Sequence, residues 1–163
     1  MSELNPYEKF LDHRPVETIL AATPVLLDSL AKSIGRDKIT NPPVPGKWSP
    51  AEILCHLADC EIAFAFRLRQ TLAEDNHTIQ PFDQDKWATP YKSFGPDLGA
   101  EQALAAFTAL RHWNLLLITT TLPTSADKQA THPERGPMTF LTIVQTMAGH
   151  DINHIQQLQR LAS

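Results

Sequence analysis

Four stretches of the chain carry apolar residues at helical intervals, and three polar or proline-rich connections separate them. From Val16 to about Ile34 the apolar positions are Ile19, Leu20, Leu26, Leu27, Leu30 and Ile34, the rhythm of one helix face, with Pro24 expected to bend the axis. The DKITNPPVPG run at 37–46 forbids a helix, because its prolines remove donors and hold their neighbours extended. A second helix starts at Ser49, with Pro50 in the first helical position and Glu52 as the third residue of a capping box, and should run to about Glu74. Residues 75–98 form a connection about twice the ~12 residues above which structureless loops become uncommon, which reads as a functional rim or lid or as a solvent-exposed tether. A third helix is expected over roughly Gly99–Thr120, with Leu104, Phe107, Leu110, Leu117 and Ile118 apolar. LPTSADKQATHPERGPM reads as a further connection, and a last helix begins near Thr139, a candidate cap, and continues to about Leu161. Helices of ~20 residues, each with one apolar face, bury best as an all-α four-helix bundle with long loops.

At 163 residues the chain is the size of one domain, expected to span 1–163. With 42% apolar and 20% charged residues and only 6 Gly, it falls outside disordered, collagen-like and low-complexity compositions. Fourteen Lys and Arg against 18 Asp and Glu give a net charge of −4 without a basic run, which argues against nucleic acid as a partner. MSELNPYEKF lacks the features of a secretory signal, and no apolar run approaches the ~20 residues of a membrane span, so a cytoplasmic protein is expected. Cys55 and Cys60, five apart on a helix, are badly placed for a disulfide and should be reduced.

The chemistry lies in what shares the buried stripes. Ile53, His56, Cys60 and Phe64 are spaced three, four and four residues apart, which turns His56 toward the core. Ile143, Met147, His150, His154, Leu158 and Leu161 follow the same rhythm in the last helix. Three imidazoles therefore point toward one axis. Buried together they need partners and would repel one another if protonated, whereas a divalent ion satisfies all three and keeps them neutral. Three such ligands leave a coordination position open, the arrangement of a catalytic site, and imidazole suits zinc or nickel.

Around this set, Cys60 is one turn beyond His56 and reads as a small buried hydrophobe rather than a fourth ligand. Asp59 and Asp151 stand beside the candidate ligands as solvated edge residues or as partners for their distal nitrogens. Asn114 is expected inward on the third helix, bonded to a neighbour or to a bound species. Trp48 and Trp87 read as packing anchors, Trp48 as a staple before the capped helix. His77 and His132 fall in connections, and His13 and His112 have no comparable support.

GKWSPAEILCHLADCE at 46–61, EDNHTIQPFDQDKW at 74–87, THPERGPMTF at 131–140 and GHDINHI at 149–155 together resemble the DinB superfamily, most closely its YfiT-like branch of metal-dependent hydrolases related to bacillithiol S-transferases. The resemblance covers nearly the whole chain. It implies an up-down-down-up bundle, a homodimer, and a divalent metal held by one histidine of the second helix and two of the last, which fall on His56, His150 and His154. It further implies an enzyme that transfers a low-molecular-weight, bacillithiol-like thiol to a small electrophilic substrate, with the histidines as ligands rather than proton carriers. Metal-assisted hydrolysis is the alternative, for which Asp59, Asp151 and Glu134 are candidate bases. A non-catalytic bundle braced by its metal is the third reading.

Overall fold

A computed structural model of the chain describes residues 4–162. Four long helices, α1 (Val16–Ile34), α2 (Pro50–Ala73), α4 (Ala100–Ser125) and α5 (Phe140–Ala162), form the bundle, with a short α3 (Gln84–Trp87) in the connection after α2. Strands β1 (Gln129–His132) and β2 (Gly136–Thr139) make an antiparallel hairpin between α4 and α5.

The start of α2 is set locally. The Ser49 side chain accepts from the Glu52 backbone N–H, and the Glu52 carboxylate accepts from the Ser49 backbone, so two otherwise orphaned donors are satisfied reciprocally. In α1, Pro24 lies inside the helix and is buried. Its missing N–H withdraws the partner that the Leu20 carbonyl would have had one turn earlier, and that carbonyl instead accepts from Arg111 Nη1 at 3.2 Å.

Round the bundle the order is α1, α4, α2, α5, so α1 lies diagonal to α2 and α4 diagonal to α5, while α2 and α4 pack side by side. The core falls into two clusters that fix the helix directions. One gathers Leu20 of α1, Phe64 and Leu68 of α2, Ile118 of α4, and Ile143 and Met147 of α5. The other gathers Leu27, Leu54, Phe107 and Leu158 from the same four helices. From the first cluster to the second the numbering rises in α1 and α5 and falls in α2 and α4. The bundle is therefore up-down-down-up, and the connection over 74–99 must return the chain along its length to make α4 parallel to α2. A buried polar layer from all four helices lies where the two clusters meet.

The helices follow the hydrophobic spacing closely, whereas the connections after α2 and after α4 hold more structure than the sequence suggested. In place of a plain connection before α5 there is the hairpin, turned at 133–135 with Gly136 at φ 88°, a backbone region costly for any residue with a Cβ. Thr131 N donates to the His77 carbonyl at 3.0 Å and Ile79 N to the Thr131 carbonyl at 2.8 Å, which docks the hairpin on the connection after α2. Helix α4 also runs five residues past Thr120, through Pro123, with Thr119, Thr120 and Thr121 hydroxyls bonded back to carbonyls one turn earlier. Among the described residues no helix is long and apolar enough to cross a membrane.

Candidate metal centre

His56 is buried on α2 two turns inside the capped start, and His150 and His154 lie one turn apart on the inward face of α5. Their Nε2 atoms converge. His150 Nε2 is 3.1 Å from His56 Nε2 and 3.1 Å from His154 Nε2. His154 Nδ1 is 2.9 Å from Gln157 Oε1, an atom that only accepts, so the ring hydrogen sits on Nδ1 and Nε2 presents its lone pair to the centre.

Burial holds the three rings neutral. It pulls His56 down to about 3, with His154 adding repulsion. It pulls His154 to about 4 against the opposing bond to Gln157, and it drives His150 well below the usual imidazole value, helped by His154, His56 and the Arg111 charge.

A single ring hydrogen cannot lie along both contacts of His150, so at least one leaves nitrogen facing nitrogen without a proton between them. A cation among the three relieves this. Ligand nitrogens about 2.0–2.1 Å from a zinc ion stand roughly 2.9 Å apart at right angles and roughly 3.3 Å apart in a tetrahedron, a range that brackets the observed spacing. The donor set therefore fits a divalent ion.

Three groups wall the centre. Cys60 Sγ lies 3.5 Å from His56 Nε2 and 3.8 Å from His150 Nε2, and burial pushes its thiol up, so it stays protonated. The Trp48 ring packs on His56 at 4.7 Å, and Tyr7 meets His150 edge-on at 5.1 Å. Tyr7 comes this close because residue 149 is glycine: a Cβ there would fall 2.5 Å from the Tyr7 carbonyl oxygen and 2.7 Å from its Cβ. A cavity of about 720 Å³ opens beside His154, lined among others by Tyr7, Lys47, Trp48 and Gln157.

The acidic neighbours have other partners. Asp151 and Glu61 both grip Arg111 of α4, a side chain 1% exposed. Arg111 Nε and Nη2 donate to the two Glu61 oxygens at 3.0 and 2.7 Å, Nη1 and Nη2 donate to Asp151 at 2.5 and 3.2 Å, and Nη1 also serves the Leu20 carbonyl. All five guanidinium donors are used, and all four long helices are joined through one residue. Burial would discharge Arg111, but Asp151 and Glu61 raise it and keep it cationic. Asn114 donates to Glu61 at 2.8 Å and accepts from Arg69 at 2.7 Å, so it bonds neighbours of the fold.

Asp59 accepts the Tyr91 hydroxyl at 2.6 Å. Glu134 is exposed in the hairpin turn, where its backbone N–H donates to His132 Nδ1. His13 and His112 are exposed; His77 is buried with neither ring nitrogen bonded, and His132 is buried by the hairpin, both apart from the triad. Trp87 is exposed and stacks on Phe82 at 4.6 Å. Arg111 escaped the sequence reading although Phe107, Arg111, Asn114 and Ile118 fall at helical spacing, a charge inside a buried stripe. Tyr7 left no comparable signal.

A four-helix bundle holding a buried three-histidine cluster able to take a divalent ion is thus the class that fold and site define. The sequence matches the DinB superfamily over residues 19–158, and the chain belongs to that family. It is 25% identical over 138 residues to the protein named "Putative metal-dependent hydrolase OB0782" of Oceanobacillus iheyensis, covering 85% of this chain and 78% of that one. A "Putative metal-dependent hydrolase" of Bacillus cereus strain 03BB102 is 24% identical over 165 residues, covering 96% and 93%. The solved structure of YfiT from Bacillus subtilis, described as a probable metal-dependent hydrolase with an unusual four-helix bundle topology, superposes with a TM-score of 0.77 at 22% identity over 89% of this chain and 84% of that one. The chain is YfiT-like in fold.

Proposed function

We propose that this protein is a metal-dependent enzyme in which His56, His150 and His154 hold zinc or nickel, and that it transfers a low-molecular-weight, bacillithiol-like thiol to a small electrophilic substrate. The observation that carries the reading is the meeting of three neutral Nε2 atoms beside an open cavity. A divalent ion bound there supplies Lewis acidity at a free coordination position, lowering the pKa of a thiol or water that occupies it.

The protein's own groups favour the thiol. A free thiol starts near about 8.5 and needs little help to ionise, whereas water is far less acidic and profits from a protein base. Asp151 is committed to Arg111 and Asp59 to Tyr91, and Glu134 is out in the hairpin turn. None stands ready at the centre. Gln157 holds the His154 ring in the tautomer that faces inward, and Trp48 and Tyr7 keep solvent from the other two rings. In the overall reaction the thiol sulfur forms a bond to an electrophilic carbon, the leaving group takes the bonding pair, and the thiol proton passes to solvent. Hydrolysis is the second reading, favoured by the names of the relatives.

The partner chain is proposed to be a second copy. Ile62 and Phe66 of α2 and Trp113 and Leu116 of α4 are exposed on adjoining helices, bridged by Arg69 over the Trp113 ring at 5.8 Å. The protein is assigned to the cytoplasm, where Cys55 and Cys60, both free, remain thiols.

The test measures metal per chain on protein purified without chelator, then turnover of a small electrophile with and without a panel of thiols. Near-stoichiometric metal lost in H150A/H154A, with thiol-dependent adduct formation, is the expected result. Thiol-independent cleavage would transfer the assignment to hydrolysis, and absence of metal after reconstitution would overturn both.

A further inference from the structure

The inward stripe of α2 does not end at the centre. His56, Cys60, Phe64 and Arg67 follow one another at spacings of four, four and three, so Arg67 lies on the same face two turns beyond Cys60. Its guanidinium is stacked against Phe64 at 5.8 Å and Phe82 at 5.7 Å, and Nη2 donates to the Gln80 carbonyl at 3.1 Å. Phe64 in turn packs edge-on against His150 at 6.2 Å. One aromatic ring thus separates Arg67 from the triad.

The 77–82 segment that supplies Gln80 and Phe82 is the one paired with β1. The hairpin turn so anchored carries Arg135, half-buried like Arg67. The two charges feel each other: burial lowers Arg67, and Arg135 lowers it further. Arg135 also acts on Tyr7, which lines the cavity and touches His150. Among the described residues no carboxylate lies within ion-pair distance of either guanidinium, although the chain has 18 acidic residues. Two partly buried arginines beside the centre, Arg67 stacked between two rings, with no carboxylate partner among the described residues, suit an anion from outside the chain.

We propose that Arg67 and Arg135 form a clamp for an acidic group, carboxylate or phosphate, on the small molecule whose reacting end lies at the histidine centre. The proposal rests on the enzymatic reading above and gives its substrate class: a small anion rather than a neutral electrophile or thiol. Stacking fixes the plane of the Arg67 fork, and the hairpin brings the second fork from another element, so the clamp orients its ligand as well as attracting it.

The test is titration calorimetry of metal-stripped protein with succinate and, separately, inorganic phosphate, on wild type, R67Q, R135Q and the double variant, with metal content measured in parallel on unstripped samples. Stripping removes the ion as a competing anion site. Saturable binding of either probe, weakened at least tenfold in the double variant while metal content and circular dichroism stay at wild-type levels, is expected; the tighter probe tells carboxylate from phosphate. R135Q, in a surface turn, carries the test if R67Q loosens α2. No saturable binding of either probe to wild type, or binding that the double variant retains, overturns the clamp. Those outcomes leave the metal reading intact, whereas wild type that holds no metal sinks that reading and not the anion titration.

Discussion

Replacing Arg111 by methionine keeps the bulk of its stem and removes the only cation that Glu61 and Asp151 share in the centre of the bundle. Both carboxylates are at most 2% exposed, so water cannot take over the four hydrogen bonds they lose. Breaking a buried pair from one side costs about 3–5 kcal/mol. Asn114 still donates to Glu61, which places the expected loss near the lower end, about 3 kcal/mol. For a protein of this size that is a fall in Tm of roughly 6–12 °C. The pH dependence follows from the sign of the shift. Burial already raises Asp151 against the pull of Arg111; without that pull its carboxyl rises further and takes up a proton in the folded state that the unfolded chain does not bind. Stability of the variant relative to wild type must then improve as pH falls. Urea unfolding followed by circular dichroism at pH 7.5 and 5.5 reads both quantities, and R111M/E61Q/D151N, which removes the charges together, should recover most of the loss. A deficit below about 1 kcal/mol at pH 7.5, the scale of a surface ion pair, or one unchanged by pH, would refute the reasoning.

Metal-stripped protein should lose stability on acidification: His56 and His154 titrate at about 3 and about 4 when folded, so below the unfolded value the unfolded chain holds more protons. The slope is about 1.4 kcal/mol per pH unit per histidine below roughly 6.5, and a urea midpoint level from pH 7 to 5 would contradict it. Gly149→Ala should cost about 1–3 kcal/mol and displace Tyr7 from His150, seen as faster proteolysis near the N-terminus; an unchanged cleavage pattern would count against the close approach. Ser49→Ala should cost about 0.5–2 kcal/mol by opening the capping box, with Ser49→Asp recovering part of it in thermal melts.

The limits of α1, α2 and α5 were legible because burial repeats every three or four residues and the Ser49–Glu52 box marks a start. The same spacing turned His56, His150 and His154 to one axis. The hairpin was not legible: each strand is only four residues long, too short for alternation to rise above the polar turn between them, and its pairing depends on residues 77–79 from another part of the chain. Helix α4 was expected to end near Thr120 but continues to Ser125 with Pro123 inside it. Arg111 was obscured by its type, since a charge on a helix is ordinarily solvated, and only the two carboxylates arriving from α2 and α5 make its burial possible.

In two helices a residue of the centre is followed at once by a residue of the ion cluster: Cys60 by Glu61 on α2, and His150 by Asp151 on α5. Successive side chains on a helix differ by about 100° in direction, so each helix addresses two targets from neighbouring positions. A single residue inserted or deleted upstream in α5 would swing His150 and Asp151 away together, losing the ion site and the knot of the bundle in one event. The helices are thereby locked against length change, while the 74–99 connection and the turn at 133–135 carry no such double duty. Over evolutionary time new specificities on this scaffold should be written in the loops, with the helices inherited as an unedited frame.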